Sequence, residues 1–449
     1  MNSAYTPAKP LNARSQRKRD QGLDSIDIMV FLIPCLRFLQ VKIIGILNGA
    51  DILLLAVFLL LAVRGKIRIE SSVGKRFVFL CSLWLLSQCV TDIVRHTAFA
   101  DYMRGWSNIG LTLVDFAVLY TLLYHRPRRL LLYGWGLAVG SLLTFLLNPD
   151  EYMVDAPWKF GIALPLSLAV ILIVSRKNCS LRLSAILTGS VGMTNIAMGA
   201  RGTGGMCLGV SLYILVNRYF ARKSAGSSRM KAKSVVIVVA SLGLGAAGIL
   251  GMYQFAARTG ILGEDAREKY EKQSGGQYGL LLGGRVEALG SLPAIYDSPI
   301  LGHGSWARDP GYLLAERQAL ALMGYIDPSE IIDNEFEEGL IPAHSYLLGA
   351  WVNAGILGAL FWGWVWVVTA RTLARVYPAN FELLPIAAFV GFGLLWDILF
   401  SPYGAEMRII SPFYVVMMMT CLGMAPNKAV QAPRSVARSL AIAGPAPKL

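Results

Sequence analysis

The sequence predicts an all-α polytopic membrane protein, with about twelve spanning helices and one large loop outside the bilayer. Three observations predict it. Mean hydropathy is +0.52 and 55% of residues are hydrophobic. Apolar runs recur along the whole chain, many near the roughly 20 residues that cross about 30 Å of hydrocarbon. The basic residues fall in alternate loops, as the positive-inside rule requires.

In chain order, residues 1–25 are polar and basic (Arg14, Arg17, Lys18, Arg19) and end without a small-residue cleavage site. They read as a cytoplasmic tail rather than a cleaved signal peptide. Spans one to nine are expected within 26–256, at 26–47, 50–63, 75–94, 106–124, 130–147, 157–174, 182–198, 202–220 and 234–256. Segment 257–343 follows, the one stretch long enough to fold outside the bilayer. Its parts 264–273, 285–296 and 312–323 have helical character, and Gly275-Gly276, Gly283-Gly284, Pro293, Pro299 and Pro310 break them into short pieces. Spans ten to twelve are expected at 344–370, 381–400 and 408–424, within 344–424, before a Pro/Ala-rich tail at 425–449.

Loops 64–76, 125–130, 175–182, 218–233 and 371–380 carry Arg64, Lys66, Arg68, Arg126, Arg128, Arg129, Arg176, Lys177, Arg222, Lys223, Arg371 and Arg375. All fall on one side, which assigns both termini to the cytoplasm and 257–343 to the outside. The short loops Asn148-Pro149-Asp150-Glu151 and Ser401-Pro402-Tyr403-Gly404 then also face outward. The net charge of +14 is therefore a topology signal, and nucleic acid is not an expected partner.

No nucleotide-binding glycine loop is present, and no paired-carboxylate motif suggests a hard-metal site. None of the six cysteines (Cys35, Cys81, Cys89, Cys179, Cys207, Cys421) lies in the outer loop, so no disulfide is expected, and no Cys/His spacing suggests zinc. The expectation is a protein without cofactor or metal.

The residues suited to chemistry are cations on the outer face, because hydrocarbon disfavours such groups unless they act or pair. Gly199-Ala200-Arg201-Gly202-Thr203-Gly204-Gly205 opens an inward-running span. Free N–H groups and the positive end of the dipole gather there, and Arg201 adds a fork suited to phosphate oxygens. The structural alternative is a snorkelling arginine on a glycine-rich packing helix. His344 opens another inward-running span, where the dipole favours a neutral imidazole able to accept a proton. It reads equally as a helix-start residue bonded to the loop.

Arg285, within Gly283-Gly284-Arg285-Val286-Glu287, is either an anion contact or a surface ion pair. His303 is a second base or a turn residue. Asp397, Glu406 and Arg408 cluster at the last outer loop, whereas 333–338 reads as solvated acidic loop. Arg37, deep in the first span, needs a partner, and Asp51, Asp92 and Asp115 are the candidates.

His344-Ser345-Tyr346-Leu347 followed by Asn353-Ala354-Gly355-Ile356-Leu357-Gly358 resembles the signature of the O-antigen ligase and polymerase superfamily. Gly284-Arg285 and Ser298-Pro299-Ile300-Leu301-Gly302-His303-Gly304 resemble the Gly-Arg and Pro-x-x-Gly-x-Gly elements that precede it. Ala200-Arg201-Gly202 resembles the Ser-Arg-Gly element, with alanine in place of serine. The likeness spans roughly 195–365.

It implies a GT-C-like transferase of the bacterial inner membrane, acting at the periplasmic face on an undecaprenyl-diphosphate-linked glycan. The acceptor would be lipid A-core for a ligase, or a second lipid-linked glycan for a polymerase. The catalytic residues it implies are His344, Arg285 and Arg201, with Gly202, Thr203, Gly284, His303 and Arg408 expected to bind substrate. Rival expectations are a transporter or flippase of a lipid-linked oligosaccharide, a protein O-oligosaccharyltransferase and a non-catalytic assembly subunit.

Overall fold

The computed structural model describes residues 23–175, 179–223 (side chains to 221), 251, 254–261, 263–264, 267, 270–271, 288–327, 339–375, 377 and 381–424. Arg285, Gly284, the ninth expected span apart from its last few residues, the acidic run 333–338 and nearly all of both tails lie outside the described residues. Apart from one short hairpin the architecture is helical.

The first helix, α1 (Ser25–Cys35), is capped by Asp24, whose carboxylate accepts from the Asp27 amide at 2.6 Å. That N–H, with Arg129 behind it, holds the Asp24 carboxyl below the usual carboxylate range. The expected span 26–47 does not form as one helix. Pro34 lies in the last turn of α1, where the ring removes a donor. A 3-10 turn (Leu36–Phe38) and an antiparallel hairpin of β1 (Gln40–Lys42) and β2 (Ile46–Asn48) follow. The Asn48 amide donates to Asp51 Oδ2 at 2.9 Å and starts α2 (Gly49–Val63).

Then come α3 (Ser72–Val94), α4 (Phe99–Leu123), α5 (Pro127–Leu147) and the short α6 (Glu151–Asp155). A π-helical turn (Pro157–Ile162) leads into α7 (Ala163–Val174), before α8 (Leu181–Ala197) and α9 (Arg201–Lys223). The loop region holds α10 (Ala288–Asp297) and α11 (Pro310–Leu322). The chain closes with α12 (Tyr346–Ala354), α13 (Ile356–Leu373), α14 (Leu384–Phe400) and α15 (Met407–Met424).

Among the described residues six helices are long and apolar enough to cross a membrane: α3, α4, α5, the Pro157–Val174 segment, α13 and α15. The shorter α2 and α14 are also apolar. Every residue of α15 from Arg408 to Cys421 is buried, and the helix packs against α2, α4, α13 and α14.

The second departure from expectation is at 344–370, where Gly355 ends α12 with φ +69°. A Cβ there would lie 1.9 Å from Ile300 O. The loop segment 298–305 fills the break: the His303 and Gly304 amides donate to Val352 O (2.7 Å) and Asn353 O (3.1 Å), and the Ile356 amide donates to Ile300 O. The last turns of α3 grip both pieces. Ser87 donates to Ala354 O at 2.7 Å, Arg95 Nε to Gly302 O at 3.1 Å, and Asp92 accepts from the Ser305 amide and hydroxyl at 2.6 and 2.7 Å.

These bonds define one end of the bundle, the loop end. The ends of α3 and α14 meet the starts of α2, α4, α12 and α15 there, through Arg308–Asp101, Ser345–Ile398 and Arg408–Asp51. At the opposite end Arg129 of α5 bonds Asp24 and Asp27 of α1, and Tyr213 of α9 donates to Leu373 O of α13.

Candidate functional site

At the loop end, α5, the π-turn, α9, α14 and α15 surround a cavity of about 260 Å³. Its lining includes apolar Phe389, Met407 and Ile410, and its polar groups come from Arg37, Ser141, Thr144, Lys159, Thr203, Asp397, Glu406 and Tyr414.

Each polar group has a structural reason to be there. The end of α1 turns Arg37 inward, where it is 7% exposed. Its Nη1 donates to Ser141 Oγ at 3.0 Å, and Nη2 stands 3.6 Å from Glu406 Oε2. The expected partners Asp51, Asp92 and Asp115 are not the ones it finds. Asp51 is taken by Arg408 at 2.8 Å, and Asp92 by Ser305 and Trp106.

Lys159 belongs to the π-turn, a geometry found disproportionately at functional sites. That turn is fixed to α8 by Trp158 Nε1, which donates to Asn195 Oδ1 at 3.0 Å. Asn195 in turn donates to Ser167 Oγ. Gly161 lets the turn approach α5, since a Cβ would lie 2.3 Å from the Phe145 ring. Asp397 reaches the lining from the last turn of α14, with Oδ1 accepting from Ser401 Oγ at 2.7 Å.

Of the residues expected to bind substrate, Thr203 lines this cavity. Arg201 is the first residue of the same helix, after a turn in which Gly199 takes φ +81°. A Cβ on Gly202 would meet nothing within 4 Å, whereas one on Gly204 would lie 2.7 Å from Gly192 O. One face of this helix start is therefore open and another is sealed against α8.

His344 is exposed and precedes the N-cap of α12. The cap residue, Ser345, accepts from the Leu348 amide and donates to Ile398 O at 2.8 Å. This docks the start of α12 on the turn of α14 that carries Asp397. His344 thus shares the loop end with the cavity without lining it.

The other expected contacts are engaged elsewhere. His303 Nε2 lies 2.7 Å from Ala294 O, and its ring meets Tyr312 edge-on at 5.4 Å. Tyr312 donates to Asp297 Oδ2 at 2.8 Å, and burial with that bond pushes its hydroxyl up to about 12. Arg408 is 4% exposed and gives Nη2 to Ile46 O and Asp51 Oδ2. It tethers the hairpin to α15, and its neighbours Glu406 and Met407 line the cavity. Arg285 and Gly284 lie outside the described residues.

Sequence reasoning missed Lys159, whose only signal was a lone lysine inside an otherwise apolar run. The structural pairing expected for Arg37 is found, with Ser141 and Glu406 in place of the named candidates, and its side chain is also part of the cavity lining. Two cations and two carboxylates beside apolar side chains suit a ligand with an anionic group and hydroxyls, held beside a hydrophobic tail. The chain matches no protein-family model and no curated protein.

Proposed function

We propose that this chain is an integral-membrane glycosyltransferase that moves a glycan from undecaprenyl diphosphate to an acceptor hydroxyl, as an O-antigen or exopolysaccharide ligase or polymerase. In this reading about twelve spans cross a bacterial inner membrane, both termini are cytoplasmic, and the loop end faces the periplasm. The observation that carries it is the cavity that brings Arg37 and Lys159 to the start of the helix opened by Arg201.

The acceptor oxygen attacks the anomeric carbon as the bond from that carbon to the diphosphate breaks, which inverts the configuration. Lipid diphosphate leaves readily once its developing charge is met, so cations and a helix N-terminus are the main requirement. Arg201, Arg285, Arg37 and Lys159 supply that charge. His344 takes the acceptor proton, and Asp397, in the cavity wall, is the second group able to do so. Lipid A-core or another lipid-linked glycan is the acceptor, and no metal takes part.

The test is reconstitution of the purified chain with a lipid-diphosphate oligosaccharide and each acceptor, with and without EDTA. Transfer that survives EDTA and falls in Arg201→Ala, Arg37→Ala and His344→Ala supports the proposal. A second reading, transport of the lipid-linked oligosaccharide, is favoured by ionisable side chains enclosed among the helices, Asp51 with Arg408 and Asp115. Oligosaccharide that crosses vesicles without release of undecaprenyl diphosphate would replace the first reading with the second.

A further inference from the structure

Asp115, on α4, is 0% exposed, and neither of its oxygens meets a hydrogen-bond donor among the described residues. Asp51, on α2, is equally buried. Its Oδ2 accepts from Arg408 Nη2 and the Asn48 amide, while its Oδ1 has no donor among the described residues. Arg408 has an Nε without an acceptor there.

Four side chains interact electrostatically with Asp115: Asp51 of α2, Tyr133 of α5, Arg408 of α15 and Tyr403 just before α15. Tyr133 donates its hydroxyl to Ile409 O, and the Tyr403 hydroxyl bonds Thr112. Beyond these, Cys81 of α3 interacts electrostatically with Tyr403, and Arg37 with Tyr133. The charge count is unequal, since two carboxylates share one guanidinium already bonded to the first of them.

An ionised carboxylate with no donor is the least tolerable group in such an enclosure, and it escapes by taking up a cation or a proton. A divalent cation wants about six to eight oxygens. No group of three or more His, Cys, Asp or Glu side chains gathers as a metal site among the described residues. Arg408 already supplies the one positive charge beside Asp51. A proton needs a single lone pair.

We propose that Asp115 is a proton-binding site inside the bundle, a carboxylic acid kept neutral beside the fixed Asp51–Arg408 pair. With the proton bound, Arg408 stays committed to Asp51 and Ile46, and the start of α15 keeps Glu406 and Met407 in the cavity wall. The site does not depend on which substrate the cavity takes.

Infrared spectra of the full chain in lipid test this, by subtraction of Asp115→Asn from wild type at neutral pH. The expected difference is the loss of one protonated-carboxyl C=O band with no loss of carboxylate intensity, and Asp397→Asn as a reference leaves that band in place. Loss of carboxylate intensity instead would overturn the proposal. So would sodium-dependent thermal stabilisation that wild type shows and Asp115→Asn lacks. If Asp115→Asn does not fold, Asp115→Glu in chain labelled with carboxyl-¹³C aspartate reads the same group. The labelled acid band then loses one residue's intensity if the proposal holds, and the labelled carboxylate band loses it if it does not.

Discussion

Gly302 and Gly355 close on one another where the loop enters the bundle. A Cβ on Gly302 would lie 2.7 Å from the Gly355 nitrogen, and both residues take positive φ, +85° and +69°. Two stretches separated in sequence, 298–304 and 353–358, thereby form one backbone junction. The glycines are required by proximity and by handedness, for only glycine takes such angles cheaply.

Gly355→Ala is expected to destabilise the chain severely. The left-handed backbone alone costs about 1–3 kcal/mol with a side chain. The added carbon would also overlap Ile300 O at 1.9 Å. Gly363→Ala, within α13 and with open space where its Cβ would project, should be neutral or gain up to about 1 kcal/mol. Thermal unfolding in detergent compares them, and equal melting of the two variants would refute the junction.

Asp92 should be the residue that holds the loop down. It accepts from the Ser305 amide, the Ser305 hydroxyl and Trp106 Nε1 within 2.8 Å, and is 2% exposed. Asp92→Ala orphans those donors, at about 1–3 kcal/mol for each one left buried. Hydrogen–deuterium exchange should speed up at 302–305 while α4 and α5 stay protected. Unchanged exchange at Ser305 would remove Asp92 from this role.

How far these features were legible in the sequence depended on whether they were set by composition or by contact. The runs that became α3, α4, α5, α13 and α15 needed only length and hydropathy, because burying apolar surface is indifferent to partner. At 26–47 and 344–370 hydropathy saw one apolar run where the chain makes several elements, a helix, a 3-10 turn and a hairpin in the first and two helices in the second. Pro34 and Gly355 act through backbone geometry, which a hydropathy average does not register. Thr203, singled out for its place at a glycine-rich helix start, lines the cavity.

The partner of Arg37 was not legible. Asp51 reads as a free carboxylate in sequence, yet the α2 cap and Arg408 both claim it. Which carboxylate meets which guanidinium is fixed by how helices stack, and that information is tertiary.

The Asp51–Arg408 pair gives a third test. Removal of one partner leaves a buried charge uncompensated, at about 3–5 kcal/mol, whereas an apolar replacement of both is often far cheaper. Asp51→Leu and Arg408→Met should therefore each lower stability strongly, and the double variant should recover much of the loss. Strict additivity in the double-mutant cycle would mean the two side chains are not coupled.

The cavity gives the fourth. Gly202 has open space where a side chain would project, so Gly202→Leu should leave thermal stability within about 1 kcal/mol of wild type. If the start of α9 receives the diphosphate, that bulk blocks approach to the helix N-terminus, and glycan transfer should fall. Lys159→Ala and Arg201→Ala remove charge without adding bulk. Each should lower the transfer rate by about 10²–10³-fold, the usual effect of losing one donor that stabilises developing charge. Lys159→Arg, which keeps the charge, should lose much less. Stability and transfer are read on the same preparations, so an inactive variant that melts like wild type reports on the site and not on folding. Transfer at wild-type rate in both alanine variants would separate this cavity from the chemistry and leave it a structural void among α5, α9 and α14.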